Sequence, residues 1–378
     1  MSRSRGLDPA LPSLPERKDA VPVLPFRFAI IGSGWRSEFL LRMARAAPDR
    51  LEVVAVVTHT EAEAQRIAAR WGVPTMRTIG EALACNPEFV VSAVSWPSMP
   101  VVVRDLVAAG AKVMAETPPA PELEGLRSLW RDVGASGLVQ VGEQYTRMPG
   151  HASRLAVVEA GVIGTVTSVE VASTHLYHAV SLIRAFLGVD MDPVDVNARA
   201  FRAPLVDPLT FAGWRTDPKP EPKTTMIATL DFDDGRMGLY NFVDNQWWNP
   251  LLARRVDIRG SLGEIVDDTV TRLTSEGPVT SPIVYRRTGV DMNLEGNEVV
   301  HTSFDGRVIY RNEWVGTNLS EDDIAVADHL AAVGLWAREE GPEPYPLAQG
   351  CQDHALGLAI EQSALTATDV RVEREVWA

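Results

Sequence analysis

The chain has 378 residues, of which 46% are hydrophobic and 23% are charged, a composition typical of a globular protein with two domains. Its formal net charge of −14 excludes nucleic acid and anionic membrane surfaces as main partners, because both attract positively charged proteins. The two cysteines, Cys85 and Cys351, are too few for a disulfide framework or a Cys-x-x-Cys metal knuckle.

The first 26 residues are punctuated by prolines, with polar and charged residues between them. They contain no apolar run of the kind that forms a signal peptide, and no later stretch of about 18 apolar residues offers a membrane span. We interpret residues 1–26 as a flexible arm, and we expect a cytoplasmic protein with no membrane partner.

Short apolar runs alternate with amphipathic helical patterns between residues 27 and 148. The predicted strands cover residues 28–31, 51–57, 73–76, 89–94, 112–115 and 138–141, and the predicted helices include 61–71, 101–109 and 122–133. Strands that are apolar on both faces and alternate with helices form a parallel sheet covered on both sides. We therefore predict a doubly wound α/β domain, a dinucleotide-binding Rossmann fold, over residues 27–148.

The remaining residues, 149–378, show strand pairs joined by hairpin signals. The predicted elements are strands at 166–174, 225–232, 237–243, 255–259 and 308–310, helices at 179–187 and 348–365, a helix beginning at Ser320, and a proline-rich loop at 204–222. This pattern predicts an α+β domain with a large, mostly antiparallel sheet. We expect it to bind the substrate and to form subunit contacts.

A glycine-rich turn follows the first predicted strand and reads Gly32-Ser33-Gly34-Trp35-Arg36. The first glycine permits a tight turn, and the second lets a pyrophosphate approach the backbone amides at the start of a helix. We therefore assign all five residues to a dinucleotide site.

The second predicted strand ends in Thr58-His59-Thr60, where a site that prefers NAD usually places an acid for the ribose 2′-hydroxyl. No acid stands at these three positions, and His59 can assist a 2′-phosphate. We assign Thr58 and His59 to the cofactor site and favour NADP slightly over NAD. A solvated loop histidine explains His59 equally well.

Several motifs taken together resemble the Gfo/Idh/MocA family, named after glucose–fructose oxidoreductase and inositol dehydrogenase. They are the glycine turn, Ser95-Trp96-Pro97 after the fourth strand, Ala115-Glu116-Thr117-Pro118 after the fifth, Gln144-Tyr145, Gly161-Val162-Ile163-Gly164, and residues 177–184. The resemblance covers nearly the whole chain from Arg27. Within the family, the chain is similar to a branch whose turn reads Gly-Ser-Gly-Trp-Arg.

This resemblance implies a nicotinamide ring at the carboxyl edge of the parallel sheet, with a substrate pocket formed by the second domain. It implies that Glu116 contacts the nicotinamide ribose. The other motif residues that it assigns to the cofactor are Ser95, Trp96, Pro97, Thr117, Pro118 and Gln144.

Two departures from the family pattern concern the chemistry itself. Family dehydrogenases typically carry Glu-Lys-Pro after the fifth strand, whereas Thr117 stands at the lysine position here. They often carry His-x-x-Asp in the second domain, whereas Ser181 follows His178 here. Since only Lys219 and Lys223, in the proline-rich loop, are expected within reach of a pocket, ordinary lysine-assisted alcohol oxidation is in doubt.

His178 is the best candidate for proton transfer, because the resemblance places the catalytic histidine there. The unperturbed pKa of histidine, about 6.5, also suits acid–base catalysis. His175 and Tyr145 are the other catalytic candidates, expected on the same rim and near the nicotinamide. Two neighbouring histidines without a third ligand do not make a zinc site, so we predict no metal.

Two further polar features have open interpretations. Glu143 at the end of the sixth strand is either an acid–base group whose pKa is raised by burial, or a salt-bridge partner of Arg147 or Arg184. We favour the salt bridge. The polar residues 352–354 are a weak pocket candidate and more typical of a helix cap.

These observations favour an NAD(P)-dependent oxidoreductase that transfers a hydride to or from a sugar, a polyol or a related small cyclic substrate, with His178 as the proton relay. Two alternatives stay open because the lysine and aspartate are missing. One is a redox-neutral enzyme of the glycosidase or lyase type that keeps its nicotinamide bound, and the other is a catalytically silent dinucleotide-binding protein. Since an open antiparallel sheet needs a partner surface, we expect a homodimer or homotetramer.

Overall fold

The computed structural model describes residues 24–210 and 212–378, with the exception of the Met292 side chain. Residues 1–23, most of the predicted arm, lie outside the described residues. Within the described chain, six parallel strands form a sheet in the order β3-β2-β1-β4-β5-β6. The elements of this half are β1 Phe26–Ile31, α1 Trp35–Ala46, β2 Leu51–Val57, α2 Glu61–Trp71, β3 Thr75–Met76, α3 Ile79–Leu83, β4 Phe89–Ser92, α4 Met99–Ala108, β5 Val113–Ala115, α5 Leu123–Val133 and β6 Val139–Val141.

The parallel sheet is covered on both faces, as the apolar runs predict. Along β1, Phe28 and Ile30 point into one core cluster, whereas Ala29 and Ile31 point into the other. Side chains alternate between the two faces of a strand, so a strand buried on both sides must be apolar at every position.

Local capping sets the bounds of α2, which match the prediction. At its start the side chain of Thr60 accepts from the backbone N–H of Glu63 and the Glu63 carboxylate accepts from the backbone of Thr60, while Gly72 ends the helix in a left-handed conformation with φ of 70°. The third strand is shorter than predicted because Pro74 has no N–H to extend the ladder backwards.

The second half contains a mixed sheet in the order β16-β15-β14-β13-β7-β12-β11-β8-β20, in which β7 and β12 are parallel and the other neighbours antiparallel. A separate sheet has the order β17-β18-β19. The elements are α6 Pro149–Glu159, β7 Val166–Ala172, α7 Leu176–Leu187, β8 Val194–Leu205, β9 Leu209–Thr210, β10 Gly213–Trp214, β11 Glu221–Phe232, β12 Met237–Val243, β13 Arg255–Gly260, β14 Gly263–Val266, β15 Thr269–Thr274, β16 Gly277–Pro282, β17 Val284–Thr288, β18 Glu298–Phe304, β19 Arg307–Arg311, α8 Glu321–Ala337, α9 Leu347–Thr366 and β20 Val370–Val372.

The predicted α+β class is confirmed, but several strands were not predicted. β8 and β14 to β18 have one open face with polar residues, so they lack the continuous apolar runs of the parallel half. The proline-rich loop predicted at 204–222 is shorter than expected, because β8 and β11 pair along their whole length and extend into it from both sides.

The two C-terminal helices pack against the parallel sheet. Ile324 and Leu330 of α8 share a core cluster with Phe28, and Cys351 of α9 shares the other with Val141. The first half of the chain therefore does not cover its own sheet completely, and the domain boundary at 148 stays a prediction.

The start of α8 is built as its sequence predicts. The side chain of Ser320 accepts from the backbone N–H of Asp323, and the Asp323 carboxylate also accepts two hydrogen bonds of 2.8 Å from Arg42 on α1. This contact ties the returning helix to the helix that follows the glycine turn. No helix in the described part of the chain is long and apolar enough to cross a membrane.

Candidate active site

The glycine turn after β1 lets a ligand approach the backbone amides closely. Gly32 has φ of 119°, and a Cβ there would lie 2.3 Å from the carbonyl oxygen of Ala93, so a side chain is not tolerated. A Cβ at Gly34 would meet no atom within 4 Å, and no side chain caps α1. The first amides of α1 are therefore open to an anion.

The end of β2 is held by an arginine that the sequence reasoning missed. The guanidinium of Arg77 donates to the carbonyl oxygen of Thr58 over 2.8 Å, to its hydroxyl over 3.2 Å, and to the carbonyl of His59. Thr58 is buried, whereas His59 is exposed. Arg77 thus stabilises the loop where a cofactor ribose is expected.

A carboxylate lies beside the glycine turn, although none follows β2 directly. Glu63 accepts from the hydroxyl of Ser33 over 2.9 Å and from the backbone N–H of Thr60 over 3.1 Å. Hydrogen bonds from Ser33 and Thr60 lower the pKa of Glu63, so it is ionised at neutral pH. The Thr60-x-x-Glu63 capping spacing is the sequence signal that predicts this position.

Arg36 and Glu116 form an ion pair at the carboxyl edge of the sheet. Nε of Arg36 is 2.8 Å from Oε1 of Glu116, and the side chains are 16% and 9% exposed. The N–H is not directed at that oxygen, so the contact lacks an aligned hydrogen bond. Burial opposes the charge of Arg36, but Glu116 and Asp322 outweigh it and raise its pKa, so Arg36 stays a cation.

His178 and Glu143 form a buried pair at the same edge. His178 lies in the first turn of α7, and its Nδ1 is 2.5 Å from Oε2 of Glu143, which follows β6. The other carboxylate oxygen accepts from the backbone N–H of Tyr145 over 3.0 Å. Burial raises the pKa of Glu143 to about 8 and lowers that of His178 to about 3. Because burial opposes separated charges, the pair holds one shared proton at neutral pH.

The expected salt bridge of Glu143 to Arg147 or Arg184 is therefore wrong. Arg184 instead binds Asp353 of α9, with 2.5 Å between Nη1 and Oδ1. Residues 352–354 lie buried inside α9 and do not cap it. The tertiary fold thus gives Arg184 a different acid and leaves Glu143 for the histidine.

The structure brings the three predicted catalytic residues together. The ring of Tyr145 lies 4.4 Å from that of His178, and the ring of His175 lies 5.1 Å from it. His175 does not continue a strand, because β7 ends before it and His175 is the residue that precedes α7. Burial lowers the pKa of His175 to about 3, and its ring packs 4.5 Å from that of Trp247.

Several buried polar atoms near these rings lack partners. They are Oγ of Ser173, Oγ1 of Thr174, Nδ1 of His175 and both amide atoms of Asn245, none of which has a hydrogen-bond partner among the described residues. Buried polar groups are rarely left unpaired, so these atoms mark a place for water or a hydroxylated ligand. Sequence reasoning missed Asn245, whose only signal is its place after the end of β12.

The other predicted cofactor residues lie around this edge, and few of their contacts indicate a cofactor. Residues 95–97 lead into a short helical turn after β4, and Trp96 is 48% exposed. Trp35 is 77% exposed. Nε2 of Gln144 is 3.4 Å from Oδ1 of Asp322. Among residues 24–210 and 212–378, no group of three His, Cys, Asp or Glu side chains is arranged to hold a metal ion.

The family model matches only the first part of the chain, whereas solved structures resemble most of it. Residues 26–143 match the model of the Gfo/Idh/MocA family, described as an oxidoreductase family with an NAD-binding Rossmann fold. No curated protein matches the sequence. The match covers the parallel sheet, the glycine turn, Glu116 and Glu143.

Solved structures resemble more than nine tenths of the chain. An oxidoreductase from Agrobacterium radiobacter in complex with NAD+, L-tartaric acid and magnesium is 16% identical, with a TM-score of 0.65 over 91% of this chain and 98% of that chain. A myo-inositol dehydrogenase from Corynebacterium glutamicum is 18% identical, with a TM-score of 0.63 over 93% of this chain and 100% of that chain. The WlbA dehydrogenase from Bordetella pertussis, in complex with NADH and UDP-GlcNAcA, is 17% identical, with a TM-score of 0.61 over 93% and 100%.

At these identities the structural likeness shows a shared fold, and it extends over both halves of the chain. The family match is confined to residues 26–143, which include the glycine turn, and over these residues the chain is similar to the Gfo/Idh/MocA family of oxidoreductases with an NAD-binding Rossmann fold.

Proposed function

We propose that the protein transfers a hydride between a nicotinamide dinucleotide and a sugar, a polyol or a related cyclic compound, with His178 as the proton relay. The observation that carries this proposal is the buried Glu143–His178 pair, which lies at the same sheet edge as the glycine turn. The solved structures support the substrate class, since they include a myo-inositol dehydrogenase and a dehydrogenase bound to UDP-GlcNAcA.

The residues at this edge fit the cofactor. The uncapped amides after Gly34 suit a pyrophosphate, and the hydroxyl of Ser37 beside them is buried without a partner among the described residues. Glu116 and residues 95–97 lie where the nicotinamide end is expected. When bound, the nicotinamide supplies or accepts the hydride.

NAD is the preferred form in this proposal, although the end of β2 by itself slightly favours NADP. The Glu63 carboxylate takes the place of the missing acid, because it accepts from hydroxyl and amide donors and repels a 2′-phosphate. Arg77 directs three hydrogen bonds at Thr58 and His59.

In substrate oxidation, His178 removes the proton from the reacting hydroxyl in the form of the pair in which Glu143 is ionised, Nδ1 carries the ring hydrogen and Nε2 is free, the form that prevails above pH about 8. Glu143 holds Nδ1, so Nε2 is the ring nitrogen left for the substrate. The carboxylate stabilises the imidazolium that forms, whereas the aspartate of the family pattern is absent from this chain. Ser181 stands at that sequence position, but its hydroxyl donates to the carbonyl oxygen of His178 over 2.9 Å and serves the helix.

Arg36 supplies the positive charge that the missing lysine would bring. Its charge acts on both members of the pair, and after burial it is the largest cause that lowers the pKa of His178. A fixed cation beside the base stabilises an oxyanion that develops on the substrate. The two lysines of the proline-rich segment pair with acids close in sequence, Lys219 with Asp217 and Lys223 with Glu221.

We further propose that the open face of the large sheet joins copies of the chain into a homodimer or homotetramer. Phe201, Ile227 and Met237 lie on that face, and they are 50%, 38% and 37% exposed. Exposed apolar side chains on a broad sheet favour a partner surface.

The first experiment is a calorimetric titration of NAD, NADH, NADP and NADPH into the wild type and Gly34→Val. Since a Cβ at Gly34 meets no protein atom, the variant is expected to fold and to lose dinucleotide binding only. A panel of sugars and polyols follows, with His178→Ala as the variant expected to lose hydride transfer. If no nicotinamide binds or copurifies, the proposal fails, and tight binding without net turnover would favour the redox-neutral alternative.

A further inference from the structure

A small cavity shares the ring of Tyr145 with the candidate active site. The ring of Tyr145 lies 4.4 Å from that of His178 and 6.4 Å from that of His151. The cavity has a volume of about 140 Å³, and its polar lining includes Tyr145, His151, Arg154, Ser173, Arg254 and Glu321. At about 30 Å³ per water, this space holds four or five non-hydrogen atoms, the size of a carboxylate or phosphate group.

His151 places a buried hydrogen-bond donor in the wall of this cavity. The residue is 7% exposed, and its Nδ1 is 3.2 Å from Nη1 of Arg154. A guanidinium only donates, so Nδ1 accepts and the ring hydrogen is on Nε2. Within the described chain Nε2 has no partner. Burial, followed by Arg154 and Arg254, lowers the pKa of His151 well below its usual value and keeps the ring neutral.

The charges around the cavity leave one arginine unpaired. Arg154 is balanced by Asp268, with 2.9 Å between Nη2 and Oδ1. Glu321, the acid in the wall, accepts from Arg287 over 2.7 Å. Arg254 has no salt-bridge partner among the residues that the structure describes, so the cavity has a net positive charge.

Ser173 connects this cavity to the candidate active site. Its hydroxyl is buried and, within the described residues, has no partner. Ser173 also follows β7 and opens the short segment that leads to His178. The cavity therefore adjoins the catalytic pair through Tyr145, whose ring lies near both His151 in the cavity and His178.

We propose that this cavity binds an anionic group of the substrate, a carboxylate or a phosphate, so that the sugar or polyol oxidised by the enzyme is an acid or a phosphate ester. The guanidinium of Arg254, Nε2–H of His151 and the hydroxyl of Ser173 donate to its oxygens. Arg254 is exposed and stays hydrated when a neutral sugar binds, so the preference for an anion comes from its positive charge, with the buried hydroxyl of Ser173 as a further donor. This inference rests on the proposed function for what happens beside His178.

The test uses inorganic phosphate and acetate as probes on the full chain, titrated by calorimetry at pH 7.5 and constant ionic strength. Arg254→Gln is expected to weaken binding of the preferred probe by about 10-fold, the lower end of the range for losing a charge-assisted hydrogen bond, because Arg254 is exposed. Arg254→Lys, which keeps the charge, is expected to lose less. Arg259→Gln is the control, because Arg259 is 72% exposed on β13 and its loss changes the net charge equally.

The two probes distinguish the sources of the anionic group. Tighter binding of acetate indicates a carboxylate, and tighter binding of phosphate indicates a phosphate ester. In either case a hexuronic acid or a hexose phosphate should bind more tightly than the neutral hexose, and Arg254→Gln should remove that difference.

Two results would overturn the inference. One is a loss of binding that is equal in Arg254→Gln and Arg259→Gln, which indicates a general charge effect. The other is phosphate binding that survives Arg254→Gln and disappears in Gly34→Val, which places the anion at the glycine turn. Because the probes need neither cofactor nor turnover, Arg254-dependent binding in a chain that binds no nicotinamide supports the cavity and rejects the proposed function alone.

Discussion

Replacing Glu143 by glutamine tests the protonation of the buried pair without any substrate. Burial raises the pKa of Glu143 to about 8, whereas a carboxyl group in the unfolded chain titrates near about 4.3. Between these values the folded chain binds more protons here than the unfolded chain, so the free energy of unfolding falls as the pH rises towards 8. The lowered pKa of His178 acts in the opposite sense and only below its unfolded value of about 6.5.

Between pH 6.5 and 8, the pH dependence of the free energy of unfolding from this pair therefore comes from Glu143. Each pH unit changes the free energy of unfolding by about 1.4 kcal/mol, and the change levels off near the folded pKa. The wild type should lose about 1.5–2 kcal/mol over this range relative to Glu143→Gln, because glutamine has nearly the same shape and does not ionise. With an unfolding entropy of about 2.1 cal/mol/K per residue, this loss corresponds to about 2 °C in Tm.

Scanning calorimetry at pH 6.5 and pH 8.0 measures this difference directly. The gap in Tm between the wild type and Glu143→Gln should change by about 2 °C between the two pH values. Glu264→Gln, which removes a carboxylate that is 46% exposed on β14, should show no such change. If the wild type and Glu143→Gln melt in parallel, Glu143 is already ionised in the folded chain at neutral pH, and the shared-proton pair is incorrect.

Gly32→Ala is expected to lower Tm and abolish dinucleotide binding, because its Cβ would lie 2.3 Å from the Ala93 carbonyl oxygen; an unchanged Tm contradicts the strained turn. Arg36→Met should reduce kcat by about 10²- to 10³-fold, the usual cost of removing one group that stabilises an oxyanion. It should also raise the apparent pKa of kcat/KM, since a cation beside His178 is lost; a pH–rate profile without this shift would refute the role of Arg36. Glu63→Gln should narrow the preference for NAD over NADP in calorimetry, and an unchanged ratio would show that Glu63 does not select the cofactor.

The parallel half of the fold could be predicted because its signals are local. The run from Phe28 to Ile31 is apolar at every position, which only a strand buried on both faces requires. The ends of α2 are encoded by Thr60, Glu63 and Gly72 within the helix and its flanks. The glycine turn is equally local, since Gly32 must adopt a positive φ where the strand meets the helix.

The second half was predictable only as a class. Its strands have one open face, and their pairing partners lie far apart in the sequence, as with β7, which pairs with both β12 and β13. The packing of α8 and α9 against the parallel sheet is a long-range contact that no local sequence pattern predicts.

The same distinction between local signals and long-range packing applies to the candidate site. Its chemical groups could be predicted from the sequence: a glycine turn, His178, Tyr145, and neither the lysine nor the aspartate of the family pattern. The pairing of Glu143 with His178 and of Arg184 with Asp353 could not be predicted. Pairing and pKa depend on burial and on charges from distant elements, and sequence spacing specifies neither.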